Sequence, residues 1–169
     1  MQLNKIPKTA TIDGSAISVT NVSFSHTLNG LNLTNNKTFT LKVIDEKDNS
    51  ATKTTSIAFA NQIYYGVAAA PAEINNTFIT GLANKTLSNN KARTVSYAAG
   101  EGEYLWYCVP TRLGECSFTD TATGFTAAFI LAATFEVEVE RADGNKYKEN
   151  YYIYRSTYPN LGSLNIKIT

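Results

Sequence analysis

Fourteen acidic residues, one histidine and two cysteines are the groups from which this 169-residue chain could build chemistry. Glu101, Glu103, Glu115 and Asp120 are the one concentration of carboxylates that could serve a glycosidase. That reaction needs two carboxyls about 5 Å or about 6.5–9.5 Å apart across a cleft. Gly100-Glu101-Gly102-Glu103 reads instead as a turn. His26 stands alone. Ser23 and Ser25 lie beside it along a strand-like run, and no nucleophile elbow is present, so a Ser-His-Asp arrangement has no support. Glu136, Glu138 and Glu140 alternate along one strand, which spaces their side chains about 6.6–7 Å apart. That is too far for one small cation without other ligands. They read as a solvated face that discourages edge pairing, with Lys146 and Lys148 within reach across a hairpin. No catalytic residue, metal ligand or cofactor site is expected, and the chain reads as non-enzymatic.

Cys108 and Cys116 flank a turn-like Pro110-Thr111-Arg112-Leu113-Gly114. If the flanking strands pair as a hairpin, the two sulfurs sit opposite one another. A non-hydrogen-bonded antiparallel pair has a Cα spacing near 4.5 Å, which a disulfide tolerates. The other reading is two reduced thiols, as cytoplasmic synthesis implies. His26 is too distant in sequence to make a metal site with them.

The elements that would position such groups are strands. Thr38–Val43 alternates strictly, with Phe39, Leu41 and Val43 on one face. The polar turn Asp45–Ser50 follows, and Thr52–Phe59 returns with Ile57 and Phe59 expected inward. Asp13-Gly14 is a tight-turn dipeptide between Ala10–Ile12 and Ile17–Val19. Val22–Phe24 adds a further strand, and Asn29-Gly30 a second tight turn. In the second half, Ile63–Tyr65, Thr94–Ala98, Glu103–Val109, Glu115–Thr119, Thr134–Glu140, Tyr147–Arg155 and Leu164–Ile168 read as strands. Phe125–Phe129 is either a strand or an irregular apolar segment. Ile74, Phe78, Ile79 and Leu82 recur at helical spacing, so Glu73–Leu87 is the best place for a short helix. The expected fold is all-β: two small immunoglobulin-like β-sandwich domains, residues 1–61 and 62–169, with at most one short helix.

Charged residues make up only 17% of the chain, net charge is +1, and no basic stripe is visible. Nucleic acid and anionic membranes are therefore poor partners. No run reaches the ~18 apolar residues of a membrane helix, so membrane insertion is not expected. Met1–Lys5 lacks the apolar stretch of a secretory signal, which points to synthesis in a cytoplasm. Ten tyrosines, eight phenylalanines and one tryptophan are the marked enrichment. Tyr104 and Trp106 fall on one strand face, and Leu105 and Tyr107 on the other; one face must be buried. With Tyr64 and Tyr65, the residues Tyr104, Trp106 and Tyr107 form the candidate binding surface, since exposed aromatics stack on sugars or anchor protein interfaces.

One resemblance covers nearly the whole chain. Ile63-Tyr64-Tyr65-Gly66-Val67, Ala99-Gly100-Glu101-Gly102-Glu103-Tyr104, Pro110–Gly114, Gly124-Phe125, Tyr152-Ile153-Tyr154-Arg155-Ser156 and Asn160-Leu161-Gly162-Ser163 occur in that order. In this the second half resembles a C-terminal module of structural and tail-associated proteins of tailed bacteriophages. The first half resembles the small immunoglobulin-like domain that often precedes it. The chain departs from the pattern in Cys108 and Cys116 and in its sparse glycine around Phe125. The resemblance implies a virion component of a tail fibre, baseplate, or capsid or tail decoration, made in the host cytoplasm and contributing to host attachment. It implies other virion proteins, a second copy of the chain and a host cell-surface glycan as partners. It carries no catalytic residues. The alternative is a carbohydrate- or receptor-binding adhesin module.

Overall fold

The computed structural model describes residues 5–22, 24–28, 36–140 and 144–169. The chain divides into two compact units, Met1–Phe59 and Ala60–Thr169. Both are built from antiparallel strands, so the fold is all-β.

In the first unit, β1 (Thr9–Ile12) and β2 (Ser15–Ile17) form a hairpin in which Ile12 pairs with Ser15. Its two turn residues, Asp13 and Gly14, both adopt positive φ, 48° and 83°. That is the backbone a two-residue hairpin loop demands. Asp13 also accepts the Thr40 N–H at 2.8 Å, tying the turn to β3 (Lys37–Ile44). β3 returns as β4 (Ser50–Ile57), giving a four-stranded sheet in the order β2-β1-β3-β4. Phe39 and Val43 are buried on β3, as their alternation requires, but β4 is exposed throughout. Ile57, expected inward, is 46% exposed, because the residues beside it on that face are Thr55 and Lys53, which want water. The strand expected at Val22–Phe24 lies partly outside the described residues, and the Asn29-Gly30 turn lies wholly outside them.

The second unit is a sandwich. Its larger sheet holds β5 (Asn61–Ala69), β6 (Asn84–Ser88), β8 (Glu103–Pro110), β10 (Phe129–Glu140) and β11 (Lys146–Ser156) in the order β10-β11-β8-β5-β6. The smaller holds β7 (Arg93–Ala99), β9 (Phe118–Asp120) and β12 (Gly162–Ile168) in the order β7-β12-β9. Between the sheets lies one core, with Ile63, Leu105, Tyr107 and Val109 facing Val95, Tyr97, Ile166 and Ile168. The far face of the larger sheet carries a second core of Tyr64, Trp106, Cys108, Val137, Val139, Tyr151 and Ile153. It is roofed by Ile79 and Leu82, in and just after α1 (Asn76–Thr80). Phe78 of the same helix meets the Trp106 ring edge-on at 4.7 Å.

α1 is far shorter than the Glu73–Leu87 periodicity predicts. Asn75 caps it by accepting the Phe78 N–H at 2.9 Å. Gly81 ends it, and Asn84–Ser88 pairs with β5 instead. Sheet pairing wins because helical spacing of four apolar residues cannot outweigh a ladder to a buried strand. Phe125–Phe129 is the irregular alternative: one bridge, Thr119 to Thr126, precedes β10. β10 runs alongside β11 with a register shift between Leu131 and Ala133, the mark of a bulge. On its outer side Glu138 meets Lys146 at 2.8 Å and Glu136 meets Lys148 at 3.0 Å, pairing diagonally across the hairpin. These are exposed pairs and add little stability.

Ser156 is fully buried; its Oγ accepts the Leu105 N–H at 3.0 Å and donates to the Tyr158 carbonyl at 2.8 Å. Ser156→Ala leaves a buried N–H without a partner and should cost about 1–3 kcal/mol. Urea titration should record it as a lower midpoint at unchanged slope. Burial also raises the hydroxyl pKa of Tyr97, Tyr107 and Tyr151, and lifts that of Tyr64 to about 12. The unfolded chain ionises near a tyrosine's ordinary value of about 10, while the folded chain keeps its protons. Stability contributed by these groups is therefore complete below pH ~10 and falls as pH rises beyond it. For Tyr64 the loss runs from ~10 to about 12. Thermal melts should show a plateau to pH ~10 and a decline above it; a flat profile to pH ~12 would contradict the burial of these hydroxyls.

Candidate functional site

The structure places the expected aromatic surface inside the protein. Tyr107 is 0% exposed, Trp106 1% and Tyr64 4%. Both faces of β8 are covered, one by the smaller sheet and the other by α1 and its flanks. Tyr65 packs half-buried against the first core, and Tyr104 against the second. The Arg155 guanidinium lies 4.3 Å from the Tyr104 ring centre and covers it. The rings of these five residues serve packing, as strand aromatics commonly do.

The cysteines do not form a hairpin pair. The chain leaves β8 through a 3-10 turn, Thr111–Leu113, and crosses to the other sheet, where β9 pairs with β12. Cys108 is buried in the second core, whereas Cys116 packs against the first. They therefore lie on opposite sides of the larger sheet, and both are free thiols. Burial raises both thiol pKa values, that of Cys116 to about 11, with Lys91 opposing the rise. Neither is a thiolate at neutral pH, so neither is a nucleophile.

Glu103 and Asp120 hold turns. Glu103 accepts the Gly100 N–H at 2.8 Å. Asp120 accepts the Ala122 N–H at 2.9 Å and the Thr123 hydroxyl at 3.0 Å. His26 is exposed in the first unit, beside a cavity of about 560 Å³ whose other lining is largely the apolar sheet face, Phe39 and Leu41 among it. Among the described residues no group of His, Cys, Asp and Glu could hold a metal ion. Among the described residues no helix is long and apolar enough to cross a membrane.

What sequence reading did not single out is the mouth of the second unit's sandwich. A cleft of about 180 Å³ opens there between the two sheets. Its floor is Leu105, Leu161, Leu164 and Ile166, and its rim carries Phe125 and Tyr158. Phe125 is 76% exposed and Tyr158 65%. Each sits on a turn that hydrogen bonds make rigid. Asp120 N–H donates to Phe125 O at 2.9 Å, Gly124 N–H to Asp120 O at 2.8 Å, and Thr121 N–H to Asn165 O at 2.9 Å. On the other turn, Thr157 N–H donates to Ala128 O at 2.8 Å and Asn160 N–H to Glu103 O at 3.0 Å. These bonds fix the backbone of both turns, so a partner need order only the side chains. The cue was in the sequence: Gly124-Phe125 and Tyr158-Pro159-Asn160 are aromatics inside turn signals, where a core position is least expected.

Comparison with family models, with curated proteins and with solved structures returned no match.

Gly124 adopts φ +73°, where an L side chain is strained, and a Cβ there would meet nothing within 4 Å. Gly124→Ala should cost about 1–2 kcal/mol from backbone strain alone. Phe125→Ala, by contrast, should leave stability within about 0.5 kcal/mol of the parent, as exposed substitutions do. Parallel denaturant titrations check both.

Proposed function

We propose that this chain is a non-enzymatic structural protein of a tailed-bacteriophage virion, belonging to a tail fibre, baseplate or decoration. In this reading both units are immunoglobulin-like spacers, and the second docks through its aromatic mouth. The observation that carries the reading is the pair Phe125 and Tyr158, 76% and 65% exposed on rigid turns beside an apolar cleft. Two large aromatics held out in water beside an opening to the core favour a contact surface. Two of the four carboxylates that could have argued for hydrolysis, Glu103 and Asp120, are instead occupied as turn caps. The ordered motifs from Ile63 to Ser163 supply the phage part of the reading. The cleft is the size for one apolar side chain from a second copy or another virion protein. The same aromatic pair would serve an adhesin, because tyrosine and phenylalanine rings stack on the apolar faces of sugars.

Light scattering coupled to size exclusion tests the docking. We expect an oligomer that the double variant Phe125→Ala/Tyr158→Ala reduces to monomer. A wild-type monomer would move the docking to a different virion protein. Absence of the chain from purified phage particles by mass spectrometry would overturn the virion reading.

A further inference from the structure

A second site, sharing no residue with the aromatic mouth, lies beside α1, where both edge strands of the larger sheet, β6 and β10, contribute. Asn76 of α1 reaches edge strand β10, where its Oδ1 accepts the Glu138 N–H at 2.8 Å. This contact bounds a pocket of about 350 Å³. Lys85, Lys146, Glu138 and Glu140 line it, so two cations face two anions and the formal charges cancel. Gln62 and Thr80 add an amide and a hydroxyl.

Tyr64 also lines the pocket and is the group that points to a ligand. Four other tyrosines of this unit are buried: Tyr97, Tyr107, Tyr151 and Tyr154. Three donate to backbone carbonyls, of Trp106 at 3.1 Å, Lys91 at 2.6 Å and Gln62 at 2.6 Å, and Tyr154 accepts the Cys116 N–H at 3.1 Å. Tyr64 is 4% exposed and its ring is packed, but its hydroxyl, which has no hydrogen-bond partner among the described residues, is not sealed in the core and opens into the pocket. A hydroxyl with no protein partner at a pocket wall can donate to and accept from a ligand seated there in place of water. Lys85 likewise has no carboxylate partner among the described residues.

We infer that this pocket binds a neutral sugar unit. An anion would meet Glu138 and Glu140, a cation would meet Lys85 and Lys146, and an apolar ligand would leave the polar lining unsatisfied. A sugar hydroxyl both donates and accepts, so it can give to a glutamate, take from a lysine, and do either with the Tyr64 hydroxyl. The volume lies at the small end of ligand sites, which suits one sugar ring. The inference does not depend on the virion reading or on the mouth, and either can fail alone.

Nuclear magnetic resonance titration of the isotope-labelled full chain tests it, with glucose, galactose and N-acetylglucosamine as probes and N-acetylneuraminate as the anionic comparison. At least one neutral sugar should shift the amides of Tyr64, Lys85, Glu138 and Glu140, with an affinity that added salt changes less than about twofold. Tyr64→Phe keeps the packed ring and should weaken binding about fivefold, the worth of one hydrogen bond. Lys85→Ala, at an exposed position, should weaken it too without loss of fold. The inference fails if none of the neutral sugars shifts these amides, if shifts appear only around Phe125 and Tyr158, or if N-acetylneuraminate binds tighter than every neutral sugar. It also fails if both variants bind as the parent does.

Discussion

The structure of the second unit turns on one strand that cannot face water on either side. From Leu105 to Pro110, β8 is buried throughout, with Leu105, Tyr107 and Val109 on one face and Trp106 and Cys108 on the other. A sheet whose central strand is apolar on both faces must be covered twice. The chain does this with the three-stranded sheet on one side and a five-residue helix with its flanking turns on the other. The crossings from β7 to β8, from β8 to β9 and from β11 to β12 all follow, because each carries the chain from one layer to the other.

Burying so many aromatics buries their polar tips, and the fold answers each by local means. Trp106 Nε1 donates to the Ala68 carbonyl at 3.0 Å, and the Tyr97 hydroxyl to the Trp106 carbonyl at 3.1 Å. These bonds join neighbouring strands or the two sheets, so they fix layer spacing as well as satisfying a donor. Against that regularity the lone hydroxyl of Tyr64 and the outward rings of Phe125 and Tyr158 stand as exceptions. Departures from otherwise consistent packing are where function is sought first.

Strand positions were legible because alternation is local. Thr38–Val43 and Thr134–Glu140 declare their inner faces in the sequence, and Asp13-Gly14 declares its turn. What lies across each face was not legible. The run Tyr104–Val109 signals burial on two sides only to a reader who accepts that polar Tyr and Cys can be core residues, and that depends on partners far away in sequence. Of the two readings of Cys108 and Cys116, the hairpin pair is excluded for the same reason, and the free thiols stand: Pro110–Gly114 turns the chain, but into another sheet. Spacing around Ile74–Leu82 found a helix and overstated it, since spacing carries no information on the competing ladder to β5. The sandwich mouth and the polar pocket each gather residues from four or more separate segments, which no short motif records.

The middle strand of the three-stranded sheet is made after both of its neighbours. β12 lies between β7 and β9 and supplies Ile166 and Ile168, both fully buried. During synthesis, β7 and β9 emerge with nothing to hold them together, and one face of the larger sheet stays wet until residue 168 has cleared the exit tunnel. Closure of this unit therefore waits for β12, and it depends on long-range pairing that is slow to search for. For that interval Leu105, Tyr107 and Val109 form an uncovered apolar surface, which makes the nascent chain a natural client for chaperones that shield such faces.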